Sequence, residues 1–263
     1  MEVIIKYKKK HSIKLRKSIK VLIIVFFLKI YIYFVQSSLK LIDKDDITLV
    51  TALFKIKSKF PFDSYLTWVE NLLLLNRSIV FYVDKRISKI VRSKRPKIYE
   101  NKTIWIKTSI NKFFSYKYFK NNFDESFKID SEKAYHTVPL YLIWAEKCSF
   151  LEKAIINNYF HSKCFYWIDA GYFRDKEYKY INNWPSIKKC NEDPRVLING
   201  IRKISDEEIK GLKNFNISIY NNFINKTNVG GGLFGGKIDY VLIFSILYYK
   251  AIKDFIIFLV SSK

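Results

Sequence analysis

Residues 164–171 read Cys-Phe-Tyr-Trp-Ile-Asp-Ala-Gly. Five β-prone, mostly apolar residues in a row predict a strand buried on both faces, as strands of parallel sheets are. Asp169 stands just past the carboxyl end of that strand. Gly171 allows a ligand to approach the backbone closely. In open α/β sheets ligands bind in the crevice at this edge. A carboxylate there suits Mg²⁺ or Mn²⁺, which prefer oxygen donors and share them with substrate phosphates. It equally suits a side chain that closes a loop.

The same pattern recurs upstream. Residues 47–53 (Ile-Thr-Leu-Val-Thr-Ala-Leu), 78–83 (Ser-Ile-Val-Phe-Tyr-Val) and 103–107 (Thr-Ile-Trp-Ile-Lys) predict three more strands. Residues 61–76 predict a helix capped by Asp63 or Ser64, with Leu66, Val69, Leu72 and Leu73 on one face. Residues 84–95 predict a short basic helix ended by Pro96, and Asp84 also follows a strand end. Residues 110–135 predict a helical insertion, and Pro139 opens a long helix to about Asn158. Strands alternating with helices predict an α/β fold, a mostly parallel Rossmann-like sheet with helices on both faces.

Five of the eight glycines fall in residues 230–236, Gly-Gly-Gly-Leu-Phe-Gly-Gly. No Ser or Thr follows Gly236-Lys237, so this is not a phosphate-binding P-loop. It lies too far from the first strand for a dinucleotide fingerprint. It predicts a loop bordering a substrate pocket, with Gly231 and Gly232 close to the ligand. A tight structural crossing is the alternative. In the long helix, Lys147 has the reach to touch a phosphate. Glu146 has no basic residue three or four places on, so the pair also reads as a solvated helix face. His136 and His161 read equally as structural histidines or as bases.

The amino terminus has a different character. Residues 1–20 carry eight Lys and Arg against Glu2, and an apolar run follows from Val21 to Val35. Basic residues before an apolar run predict a cytoplasmic tail (1–20), a signal-anchor transmembrane helix (21–36) and a lumenal or extracellular domain (45–263). The run is short for a span and contains Lys29. A cleaved signal peptide, giving a secreted domain, and a buried soluble helix are the alternatives. Sequons at Asn76, Asn101, Asn216 and Asn225 agree with a lumenal domain. Cys148, Cys164 and Cys190 lack zinc spacing and leave room for one disulfide or for buried thiols. The net charge of +23 is mostly scattered Lys among many Asn, Ile, Tyr and Phe. This argues for a solvated surface and against a nucleic-acid face, which would need a concentrated basic stripe.

Residues 141–147 (Tyr-Leu-Ile-Trp-Ala-Glu-Lys), 154–157, 165–174 (Phe-Tyr-Trp-Ile-Asp-Ala-Gly-Tyr-Phe-Arg), 184–186 (Trp-Pro-Ser) and the glycine run resemble, in this order, the HtrL/YibB family. The resemblance covers residues 47–245. Sequences of that family look similar to GT-A glycosyltransferases. The resemblance implies a nucleotide-sugar donor, a glycan or protein acceptor and a Mn²⁺ or Mg²⁺ ion. By this implication Asp169 holds the cation, Lys147 and Arg174 face the phosphates, and residues 230–236 border the acceptor. The Asp-x-Asp motif of GT-A enzymes is matched by Asp169-Ala170-Gly171, without the second carboxylate. Asp239 is the candidate base. A non-catalytic binding or scaffold domain of the same fold is the competing expectation.

Overall fold

A computed structural model describes residues 25–30, 45–175, 184–203, 205–206 and 229–261. A six-stranded sheet forms the centre, in the order β3-β2-β1-β4-β6-β5. The strands are β1 (Ile47–Leu53), β2 (Ser78–Asp84), β3 (Thr103–Thr108), β4 (Cys164–Ile168), β5 (Leu197–Gly200) and β6 (Val229–Lys237). Pairings β1–β2, β2–β3 and β1–β4 are parallel, whereas β4–β6 and β5–β6 are antiparallel. The sheet is therefore mixed rather than mostly parallel. The difference comes from β6, which the sequence reads as a loop.

Six helices have full bounds among the described residues: α1 (Phe62–Leu73), α2 (Ser88–Arg92), α3 (Phe114–Lys128), α4 (Val138–Asn157), α5 (Ile187–Glu192) and α6 (Ile238–Ser261). Strand alternation sends side chains to two cores. Ile47 and Leu49 of β1 and Tyr166 of β4 pack with Leu66, Val69 and Leu72 of α1 and Val91 of α2. Val50 of β1 and Phe165 and Trp167 of β4 pack with Leu142, Phe150 and Leu151 of α4 and Val241 of α6. Helices thus cover both faces, as expected. Pro61 takes the N-cap position of α1 without a side-chain bond, in place of Asp63 or Ser64. Thr137 caps α4, accepting from Leu140 N.

Cys164 of β4 is joined to Cys190 of α5 by a disulfide across 26 residues. Cys148 is free and buried, and burial pushes its thiol well above the usual range, which keeps it unreactive. Residues 25–30 are helical, and Lys29 Nζ lies 2.9 Å from Asp239 Oδ2. The remainder of the expected anchor, residues 21–36, lies outside the described residues. Among the described residues no helix is long and apolar enough to cross a membrane. Asn76 and Asn101 are exposed; Asn216 and Asn225 lie outside the described residues.

Candidate functional site

From β1 the chain runs outward through β2 to β3, then returns by α3 and α4 to lay β4 on the other side of β1. Between β1 and β4 the strand order reverses, and this is where α/β sheets open a ligand crevice at the strands' carboxyl ends. A cavity of about 390 Å³ lies there. Its walls include Ala52 and Leu53 from the end of β1 and Trp167, Asp169 and Gly171 from the end of β4.

Asp169 and Lys147 line this cavity, and the carbonyls of Gly231 and Gly232 bond to them from β6. Lys147 Nζ lies 2.8 Å from Asp169 Oδ1 and donates to the Gly231 carbonyl at 2.8 Å. Trp167 Nε1 donates to the same Asp169 Oδ1 at 2.7 Å. Asp169 N donates to the Gly232 carbonyl at 2.8 Å, which continues the β4–β6 ladder one residue past the strand. The Lys147 ammonium also sits 5.5 Å above the Trp167 ring, a cation–π distance. Lys147 is 7% exposed, whereas the Asp169 side chain is 40% exposed. The ammonium is the buried member of the pair and the carboxylate the open one. An ammonium has three N–H donors. Among the described residues it donates to the Gly231 carbonyl and pairs with the Asp169 carboxylate.

The structure corrects two expectations here. Glu146 and Lys147 are buried, and neither lies on a solvated helix face. Glu146 instead accepts from Phe114 N at 3.1 Å and Ser115 N at 2.8 Å, capping α3 from the middle of α4. Residues 230–236 belong to strand β6, and Gly231 and Gly232 reach the site through their carbonyls. Asp239 pairs with Lys29 and does not line the cavity. Asp84, the other strand-end carboxylate, is engaged by Arg86 at 3.0 Å, which pulls its carboxyl below the usual range.

Arg174 lines the cavity, with its guanidinium 5.0 Å from the Phe60 ring and 4.8 Å from Trp68. Phe60 comes from the connection after β1, which also contributes Phe54, Ile56 and Lys59. Loops have no hydrophobic period, so the sequence reading missed them. The signal available was position, because the loop after the first strand borders the crevice in this topology. Lys59 Nζ lies 5.9 Å from the Phe60 ring and 5.7 Å from the Tyr135 ring, so it bridges to the turn ahead of α4.

That turn brings Glu132, Tyr135 and His136 to the cavity wall. His136 Nδ1 lies 2.8 Å from Asp130 Oδ2, and the Tyr141 hydroxyl donates to the same oxygen. The Tyr141 bond is the main cause that holds the Asp130 carboxyl low, at about 2, with Glu132 N and His136 adding to it. A carboxylate depressed in the folded state contributes stability that is present above its unfolded value and lost as pH falls through the folded one. The wild-type thermal midpoint should therefore fall between about pH 4 and pH 2 more steeply than that of Tyr141→Phe. Parallel slopes for the two proteins in that window would contradict this.

The donor set at Asp169 does not fit a protein-held divalent cation. Among the described residues no group of three His, Cys, Asp or Glu side chains comes together. The one carboxylate present has Oδ1 committed to an ammonium and an indole N–H. A cation on that oxygen would displace Lys147 or be repelled by it.

Fold and site together define an α/β domain with a cavity at its switch point that is lined by a Lys–Asp pair. The family model described as "Bacterial protein of unknown function (HtrL_YibB)" matches residues 45–258, and the chain belongs to that family. No curated protein and no solved structure matches the chain.

Proposed function

We propose that this domain is a GT-A-type glycosyltransferase that uses a nucleotide-sugar donor and a glycan or protein acceptor. One observation carries the reading: a buried ammonium, bonded to a strand-end carboxylate, forms part of a cavity wall at the sheet's switch point. Transfer of a glycosyl group builds negative charge on the departing diphosphate. A preorganised cation in a water-poor site stabilises that charge. Lys147 supplies it, and Arg174 adds a second cation at the wall. The aromatic side chains Phe60, Tyr65 and Trp144 offer faces for a base or sugar ring. The carboxylate of Asp169 pairs with Lys147 at the cavity wall.

The test is thermal shift of the full chain against a panel of nucleoside diphosphates, with and without Mn²⁺. One nucleotide should stabilise the chain by about 2.7 kcal/mol at a hundredfold excess over its Kd. The shift should not need Mn²⁺. Asp169→Asn separates the lysine from a metal as the source of charge. If Lys147 binds the diphosphate, removing the neighbouring negative charge leaves affinity equal or tighter. If a cation held by Asp169 does so, affinity collapses. Lys147→Met should weaken binding by roughly 10- to 100-fold, the value of a charge-assisted hydrogen bond of about 1.5–3 kcal/mol.

A binding domain without turnover is the second reading. The full engagement of Asp169 Oδ1 favours it. It predicts no donor hydrolysis by a chain that still folds.

A further inference from the structure

We propose that His136 is the proton acceptor of this cavity, receiving the acceptor hydroxyl's proton on Nε2 while Asp130 holds the Nδ1 proton. The inference rests on the donor-site reading above. Its starting point is geometric. His136 lines the cavity that contains Asp169 and Lys147. Its Nδ1 faces the Asp130 carboxylate at 2.8 Å. A carboxylate beside Nδ1 keeps the proton on that nitrogen, so the neutral ring carries its lone pair on Nε2.

The groups around the ring fit this role. Asp130 is itself held, accepting from the Tyr141 hydroxyl and from Glu132 N at 2.7 Å. It therefore stays ionised at neutral pH and stabilises the imidazolium once it forms. Glu132 Oε2 lies 3.8 Å from Nε2, beyond hydrogen-bond distance, so the acceptor nitrogen is not tied up. Lys59 Nζ lies 5.7 Å from the ring of the neighbouring Tyr135. The ring packs edge-on against Trp144 at 5.2 Å and Tyr141 at 6.0 Å, which fixes its plane.

The helix sets the spacing. Leu140, Ile143, Trp144 and Lys147 line the cavity at steps of three, one and three, so they form one face of α4. His136 packs against Trp144, and Lys147 lies one turn further along that face. From Trp144 to Lys147 the helix rises about 4.5 Å.

The step balances as follows. The acceptor oxygen forms a bond to the anomeric carbon. The bond from that carbon to the diphosphate oxygen breaks, and the nucleoside diphosphate leaves with the electron pair. The hydroxyl proton passes to His136 Nε2 and later to solvent. Asp130 and Tyr141 are positioning residues.

The probe is a panel of nucleoside-diphosphate sugars with water as the acceptor, read as kcat for hydrolysis beside the thermal shift with the free diphosphate. His136→Gln should lower kcat at least 100-fold, the usual scale of a general base, and leave the diphosphate shift unchanged. Asp130→Asn should lower kcat about tenfold. It should also move the acid limb of the pH–rate profile to lower pH, because the imidazolium loses the carboxylate that stabilises it. Tyr141→Phe should have a smaller effect in the same direction. If His136→Gln retains kcat within twofold, the assignment is wrong while the donor reading stands. A wild-type chain that shifts with a diphosphate yet hydrolyses no donor also overturns the base and keeps the binding site. A wild-type chain with no shift overturns the donor reading and the base with it.

Discussion

Gly235→Ala is expected to lower stability by about 3 kcal/mol, the upper end of overpacking costs. For a chain of this size that corresponds to a fall of about 10 °C in Tm. A Cβ at position 235 would lie 2.2 Å from the Phe165 carbonyl oxygen and 2.5 Å from Tyr166 Cα. Both atoms belong to β4, which is hydrogen-bonded on one side to β1 and on the other to β6. The backbone has no direction in which to yield without breaking a ladder. Gly232→Ala is the control, because there a Cβ meets its nearest neighbours, Asp169 Oδ2 and Tyr172, at 3.5 Å. That variant should fold normally and narrow the cavity beside Asp169. A Tm for Gly235→Ala within about 2 °C of wild type would contradict the β4–β6 register.

The same glycines show where sequence reading stops. Strands β1 to β4 were legible because each is a short, largely apolar run bounded by polar or turn residues, and in β1, β2 and β4 burial on both faces writes that pattern directly. Strand β6 is also central, but five of its nine residues are glycine. Glycine depresses strand propensity, and its reason for being here is a neighbouring backbone that no local window contains. Without β6 the sheet reads as mostly parallel, and its antiparallel half stays hidden. At the site, Asp169 was legible from its place after a strand. Its pairing with Lys147 was not, since the two lie 22 positions apart, across the end of α4, a turn and all of β4. His136 and Asp130 sit six residues apart, outside regular structure, so no period joins them. Glu146 misled for a related reason. The helical spacing rule tests neighbours on the same helix, and the partners of Glu146 include the first turn of another.

Glu146→Ala carries the other large expected effect, a loss of about 3–5 kcal/mol. The side chain is fully buried. Each carboxylate oxygen accepts a backbone N–H from the start of α3, and Lys153 Nζ lies 3.2 Å from Oε1. Truncation strands the buried Ser115 amide, at about 1–3 kcal/mol, and takes the acceptor of the part-buried Phe114 amide as well. It also leaves a cavity in the α3–α4 interface. Lys153 is half-exposed, so solvent compensates that charge, and the cost falls mainly on the amides. Glu146→Gln keeps one carbonyl acceptor for them and should lose about half as much. Urea unfolding of the three proteins checks the order. A Glu146→Ala midpoint like that of a surface substitution, within about 0.5 kcal/mol of wild type, would dismiss the cap. The consequence extends to function because the next residue is Lys147. The cap ties α3 to the middle of α4, where that helix must present its ammonium to Asp169. Glu146→Ala protein that remains folded should bind a nucleoside diphosphate more weakly than Glu146→Gln, although position 146 itself never faces the cavity.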